Sequence, residues 1–167
     1  SQIAFILLVL FVGSFVRFYQ LGKVPNGLTV DEADMGYNAY SILKTDKDVY
    51  GQKFPLFFQA LDDYKPGLVF YTTLPAIFLF GLNDFAARVA PAVFSSLTII
   101  LIFIFMKLLY AKNKLLPFIS ALTISFVPWH IALSRAMIWY IELIFLYILF
   151  FTCFLFAQKE YLKTQAR

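Results

Sequence analysis

Three short groups of residues carry the side chains that could do chemistry in this sequence. Asp31 and Glu32 stand side by side at the first turn of a predicted helix. A carboxylate there can act as general base for an acceptor hydroxyl when partial burial raises its pKa toward neutrality. The structural alternative is that both acids simply complement the helix N-terminus. Thr29 and Glu32 have the spacing of a capping box, so Glu32 has a ready structural use and Asp31 does not. The second group is Asp62-Asp63-Tyr64-Lys65-Pro66, where the chain returns to an apolar stretch. Pro66 suits the first turn of a helix, and Lys65 at a lipid surface can hold a phosphate as a point charge. The plain alternative for Lys65 is a lysine snorkelling at a membrane boundary beside an acidic neighbour. The third group is Pro128-Trp129-His130 with Ser134-Arg135. Here Trp129 suits an interfacial belt, and His130 suits either an interhelical contact or a ligand. Arg135 suits a counter-ion for an anionic headgroup, and Glu142 is a further candidate of that kind. No P-loop, G-x-S-x-G, paired-histidine or C-x-x-C motif competes with these groups.

The elements that position them must be largely membrane-embedded. Of 167 residues, 61% are hydrophobic and only 14% are charged, against roughly 25% charged in a typical soluble domain. Too little polar surface exists to coat a water-facing globule. A spanning helix needs about 20 mostly apolar residues, and four stretches fit, at about 3–19, 86–107, 115–133 and 138–157. The first is too long and too hydrophobic for a signal-peptide core, and no A-x-A-like cleavage site follows it. The sequence opens at Ser1 directly in an apolar run, which predicts a trimmed natural N-terminus. Cys153, the single cysteine, lies inside an apolar span and reads as a buried, inert thiol.

Charge placement gives an orientation. Eight of the ten acidic residues fall between Asp31 and Asp84. Two other connections are basic, with Lys107, Lys112 and Lys114 in one and Lys159, Lys163 and Arg167 in the other. Short loops rich in Lys and Arg stay cytoplasmic, so segment 20–85 becomes a large external loop and 129–138 faces the same side. Stretch 67–81 is apolar but short, and it contains Thr72, Thr73 and Pro75; it reads as an interfacial or re-entrant helix. A helix is predicted over 30–44 within the loop, with Ala33, Tyr37 and Tyr40 repeating at helical spacing. The loop aromatics (Tyr37, Tyr40, Tyr50, Phe54, Phe57, Phe58 and Tyr64) are expected to pack on the membrane face of the spans. No basic stripe marks a nucleic-acid surface. The expected fold is therefore an all-α polytopic membrane protein, with about four transmembrane helices plus interfacial helices in a large first extracytoplasmic loop.

At these residues the sequence resembles a known family. The run from Leu21 through Asp31-Glu32-Ala33 resembles the first extracytoplasmic loop of glycosyltransferases with the C-type membrane fold. More narrowly it resembles bacterial relatives of the dolichyl-phosphate-mannose–protein mannosyltransferases and of the aminoarabinose transferase that modifies lipid A. Gly36-Tyr37-Asn38-Ala39-Tyr40-Ser41, Asp63-Tyr64-Lys65-Pro66, the run from Phe80 to Arg88, and Pro128-Trp129-His130 with Ser134-Arg135 match that pattern in order, over residues 21–135. The resemblance implies a sugar donor on polyprenyl phosphate, a protein, lipid or glycan acceptor, and reaction in a cleft under the first loop, outside the cytoplasm, at the plasma (inner) membrane. Asp31, with Glu32 beside it, resembles the catalytic carboxylate pair. Lys65, flanked by Asp63 and Tyr64, resembles the phosphate-binding cation. Arg135, with His130, resembles a group that holds the leaving phosphate. Tyr64 stands where relatives of the lipid A enzyme carry a glutamate, so no cofactor is assigned and a divalent metal is left open. Trp139 and Tyr140 stand where many relatives carry a second acid. Family members are several hundred residues long, so the chain is expected to be an N-terminal fragment. The rival readings are a transporter or channel subunit, whose pathway would need ionisable groups at mid-membrane, and a non-catalytic membrane scaffold.

Overall fold

The computed structural model describes residues 2–60 and 63–165; Asp62 and Arg167 lie outside the described residues. Among the described residues, seven helices and one hairpin follow in chain order: α1 Gln2–Phe18, α2 Val30–Thr45, β1 Phe57–Ala60, β2 Asp63–Pro66, α3 Leu68–Phe80, α4 Asp84–Leu109, α5 Leu116–Phe126, α6 Pro128–Ser134 and α7 Tyr140–Gln165. The protein is mostly helical, as its apolar runs require. Helix α4 is its axis, packing against α1, α3, α5, α6 and α7. Small residues let the partners approach: a Cβ on Gly13 of α1 would meet the Ile99 side chain of α4 at 2.7 Å.

Helices α4 and α7, with 26 residues each, are long and apolar enough to cross a membrane. Each reaches about 39 Å at 1.5 Å per residue, against a hydrocarbon core of about 30 Å. The third predicted span, 115–133, is not one straight helix. It breaks between α5 and α6 with a bend of 57°. The cause is Pro128, which has no N–H to give the carbonyl of Ile124 and starts α6 instead. Buried Arg17 of α1 replaces the lost donors, its guanidinium donating to the carbonyls of Ile124 at 2.9 Å and Ser125 at 3.0 Å. Helices α1 and α3 are shorter apolar helices. The 13 residues of α3 reach only about 20 Å, too short to span.

Helix α2 starts where the capping pattern places it. The Glu32 N–H donates to Thr29 Oγ1 at 3.2 Å, and the Thr29 N–H donates to Glu32 Oε2 at 2.9 Å. Its buried face, however, is not the aromatic one. Met35, Gly36, Ala39 and Ile42 are buried, while Ala33 is exposed and Tyr37 is 57% exposed. Close packing on α3 and α4 favours the small Gly36 and Ala39 there and turns Tyr37 out, while Tyr40 stays half-buried against the Ala39, Ala76 and Ile77 cluster. The same holds for the loop: Phe58 stacks on Phe70 at 3.8 Å inside the core, whereas Tyr50, Phe54, Phe57 and Tyr64 stay exposed.

Two further expectations are corrected. Pro66 does not open a helix but ends β2, which pairs antiparallel with β1 in the register Phe58↔Lys65 and Phe57↔Pro66. The chain then turns through Gly67, where a Cβ would lie 2.6 Å from the Leu56 carbonyl; only glycine fits that approach. Cys153 is exposed rather than buried, because α7 packs along one side only and leaves Phe150, Phe151 and Phe154 uncovered on the rest of its apolar surface.

Candidate active site

Helix α2 carries two acidic clusters, and they face different surroundings. Asp31 and Asp34 are three residues apart, one turn of helix, so they lie on one face. The hairpin brings Lys65 opposite them. The Lys65 ammonium donates to Asp31 Oδ1 at 2.8 Å and to Asp34 Oδ2 at 3.3 Å. Alternation along β2 puts Asp63 and Lys65 on one side and Tyr64 on the other. Val30, Asp31, Asp34, Tyr50, Ala60, Asp63 and Lys65 line an open cavity of about 270 Å³. Side chains are unequally exposed there: Asp31 74%, Asp34 29% and Lys65 13%. Burial alone would lower the Lys65 pKa, but the hydrogen bonds and charges of Asp31 and Asp34 outweigh it and hold the ammonium above its ordinary value.

Glu32 points the other way and is 1% exposed. Arg88 of α4 grips it in two places, Nε to Oε1 at 2.8 Å and the second guanidinium nitrogen to Oε2 at 3.1 Å. The Met137 N–H donates to Oε1 at 3.0 Å. Arg88 also donates to the carbonyls of Pro25 and Gly27. Burial pushes the Glu32 carboxyl up, and the bonds from Arg88, Thr29 and Met137 more than offset this, leaving it below its ordinary value. The two oxygens of Glu32 are thus occupied by protein donors, and it does not line the cavity.

His130 and Arg135 are also apart from the cavity. His130 is fully buried, and its Nδ1 lies 2.9 Å from the Arg17 guanidinium and 3.2 Å from Ser95 Oγ. Arg135 donates to the carbonyls of Val16, Arg17 and Val24, closing the C-terminal end of α1. It borders a separate open cavity with Val16, Tyr19, Gln20, Val24 and Ile131. Among the described residues no group of three or more His, Cys, Asp or Glu converges for a metal ion.

Of the residues singled out in the sequence, the structure gathers Asp31, Asp63 and Lys65 on one cavity; Tyr64 neighbours it, and Glu32, His130 and Arg135 lie away from it, bonded to other protein groups. Sequence reasoning passed over Asp34, Asn38 and Tyr50. The i, i+3 spacing of Asp31 and Asp34 was the available signal for the first. Arg88 was legible as the end of the family-like run from Phe80, but nothing local pointed to Glu32 as its partner.

Long apolar helices capped by a polar, acid-rich layer define a multi-pass membrane protein. The chain belongs to the dolichyl-phosphate-mannose-protein mannosyltransferase family, whose family model matches residues 7–167. It is thereby a membrane glycosyltransferase of mannosyltransferase-like kind. The comparisons with curated proteins and with solved structures gave no match.

Proposed function

We propose that the protein transfers a sugar from a polyprenyl-phosphate donor to a hydroxyl of a protein, lipid or glycan acceptor, with inversion at the anomeric carbon, on the extracytoplasmic side of the plasma membrane. The observation that carries this reading is the contact of Asp31 with Lys65 at 2.8 Å on an open cavity in the loop layer. Asp31 accepts the acceptor's proton as the hydroxyl oxygen bonds to the anomeric carbon. The bond from that carbon to the phosphate oxygen breaks, and polyprenyl phosphate departs with the electron pair. Lysine has three N–H donors. Two are engaged by Asp31 and Asp34, and the third is available to a phosphate oxygen. A phosphate arriving there competes with Asp31 for the ammonium and frees the carboxylate for the acceptor. Polyprenyl phosphate is a good leaving group, so the site needs a base and a cation rather than a general acid. Arg135, whose donors already meet carbonyls, is assigned to the frame instead of the leaving group. The sidedness is supported by the lysines at the far ends of α4 and α7, opposite the acidic layer.

The test is Asp31→Asn in the whole protein, assayed with labelled polyprenyl-phosphate sugar. Loss of a general base costs roughly 10²–10⁴-fold in rate. Because Asp31 is largely exposed, the melting temperature should hardly change, and donor binding should not weaken, since the phosphate no longer competes with a carboxylate for the ammonium. Transfer at the wild-type rate by Asp31→Asn would remove the proposed base.

A further inference from the structure

Asp31 and Asp34 share one lysine but are held very differently. Asp31 is 74% exposed, and among the described residues its carboxylate has one side-chain bond, to Lys65. Asp34 is tied from behind. Asn38, 1% exposed and one turn further along α2, donates from Nδ2 to Asp34 Oδ1 at 3.0 Å and to the Asp34 carbonyl at 3.1 Å. The amide's other end is also fixed, since Asn38 Oδ1 accepts the N–H of Val49 at 3.1 Å. That bond docks the loop carrying Tyr50, which lines the cavity. The loop is itself braced by Asp48, whose Oδ1 accepts the N–H of Tyr50 and of Gln52. One buried amide therefore orients the carboxylate behind the lysine and sets the position of the cavity's aromatic wall.

We propose that Asp34, oriented by Asn38, is the fixed anchor of Lys65, so that Asp31 can leave the lysine for the substrate without the ammonium following it. The proposal rests on the transferase reading for its kinetic consequence but not for its geometry. A lysine with one mobile carboxylate would track that carboxylate, because the ammonium sits on a flexible four-carbon stem. With a second, immobile carboxylate it stays in place while the first moves. Asp34 and Asn38 are positioning residues in this arrangement, and neither contacts the reacting atoms.

The charge balance gives the kinetic signature. Among the described residues, the titratable groups facing the cavity are Asp31 and Asp34 of α2, Asp63 and Lys65 of β2, and Tyr50 of the loop. Asp34→Asn removes a like charge beside Asp31 and leaves Lys65 to Asp31 alone. A base relieved of a like charge and paired with a whole cation is a weaker base. In the whole protein, kcat should fall about tenfold, and the acid limb of the kcat/KM profile should move to lower pH. Asp34→Glu should restore part of the rate. Asn38→Ala should give a smaller effect of the same kind, and the double variant Asp34→Asn/Asn38→Ala should be no worse than Asp34→Asn, because both act through one carboxylate. A fall in kcat with an unmoved acid limb, or fully additive losses, would overturn the proposal in favour of a merely structural role. A raised donor KM at unchanged kcat would place Asp34 on the substrate instead.

A second readout needs no activity. Acylation of Lys65 by an impermeant amine-reactive ester, followed by peptide mass spectrometry, measures how firmly the ammonium is held. Asp34→Asn should speed labelling several-fold, and more than Asp31→Asn does. The reverse order would make Asp31 the anchor and refute the assignment. If labelling follows the expected order while wild-type protein transfers no sugar, the anchor stands and the transferase reading fails.

Discussion

Adjacent residues of one helix, Asp31 and Glu32, are each paired with a cation, and the two pairs behave as opposites. Glu32 meets Arg88 with both side chains at 1% exposure or less and every carboxylate oxygen on a protein donor. Asp31 meets Lys65 at the edge of an open cavity, with oxygens free for other partners. The cations differ to match. Arginine presents a planar fork suited to bidentate, fully satisfied pairing, whereas lysine is a compact charge with rotatable donors that can change partners. A carboxylate enclosed on all sides fixes where elements sit; Glu32–Arg88 joins α2, α4, the turn at Pro25–Gly27 and the backbone at Met137. A carboxylate left half open can exchange partners, which chemistry on a substrate requires.

The largest expected effect tests the enclosed pair. Arg88→Leu leaves Glu32 buried and uncompensated, a change that typically costs 3–5 kcal/mol, on the order of a third or more of a domain's stability. Thermal unfolding in detergent should show a large drop in melting temperature. Replacing both partners, as Glu32→Leu/Arg88→Met, should recover much of it, since no orphaned charge remains. Lys65→Met should cost clearly less than Arg88→Leu, because Asp31 is largely exposed and stays solvated without the ammonium, while methionine keeps the apolar stem. Similar losses for Arg88→Leu and Lys65→Met would dissolve the contrast between the two clusters.

The open pair should show itself in catalysis rather than stability. Lys65→Ala should reduce kcat/KM for the donor roughly 10- to 100-fold, the size of a charged hydrogen bond to phosphate at about 1.5–3 kcal/mol. Lys65→Arg should keep a substantial part, since a cation remains, although the guanidinium will not fit a tight pocket equally well. Wild-type activity in both variants would return Lys65 to the role of a surface lysine beside the membrane.

How much of this was legible in the sequence follows from the range of each signal. The start of α2 was readable because its capping box closes over three residues. The apolar helices were readable because burial in lipid writes itself into every residue of a run. Glu32 and Arg88 are 56 positions apart, and local pattern cannot join them; the capping box accounted for Glu32 well enough to hide its second partner. The hairpin was missed because Phe57–Ala60 and Asp63–Pro66 are four residues each, too short for alternation to register. Pro128 did announce the break in the third span, but an uninterrupted apolar composition outweighed it. The buried face of α2 was read only in part: Tyr40 is half-buried against the core, but Ala33 and Tyr37 face out, and Met35, Gly36, Ala39 and Ile42 take the closely packed side.

The smallest expected effect is a pH dependence that separates the two carboxylates without any loss of fold. Glu32 has its pKa lowered in the folded protein from an ordinary 4.5. A group depressed on folding stabilises the native state fully above its unfolded value, and this contribution is lost as pH falls through the folded value. In that window the unfolded chain binds the proton and the native chain does not. Each unit of depression corresponds to about 1.4 kcal/mol, so the effect is modest beside loss of Arg88. Melting temperatures measured from about pH 5 to about pH 3 should therefore fall for the wild type with a steeper slope than for Glu32→Leu/Arg88→Met, which lacks the titrating pair. All other acidic residues are common to the two proteins, so the difference in slope isolates the Glu32–Arg88 pair. Parallel slopes for wild type and the double replacement would mean that Glu32 is not held in its charged form by the buried pair, and the division of labour along α2 would have to be redrawn.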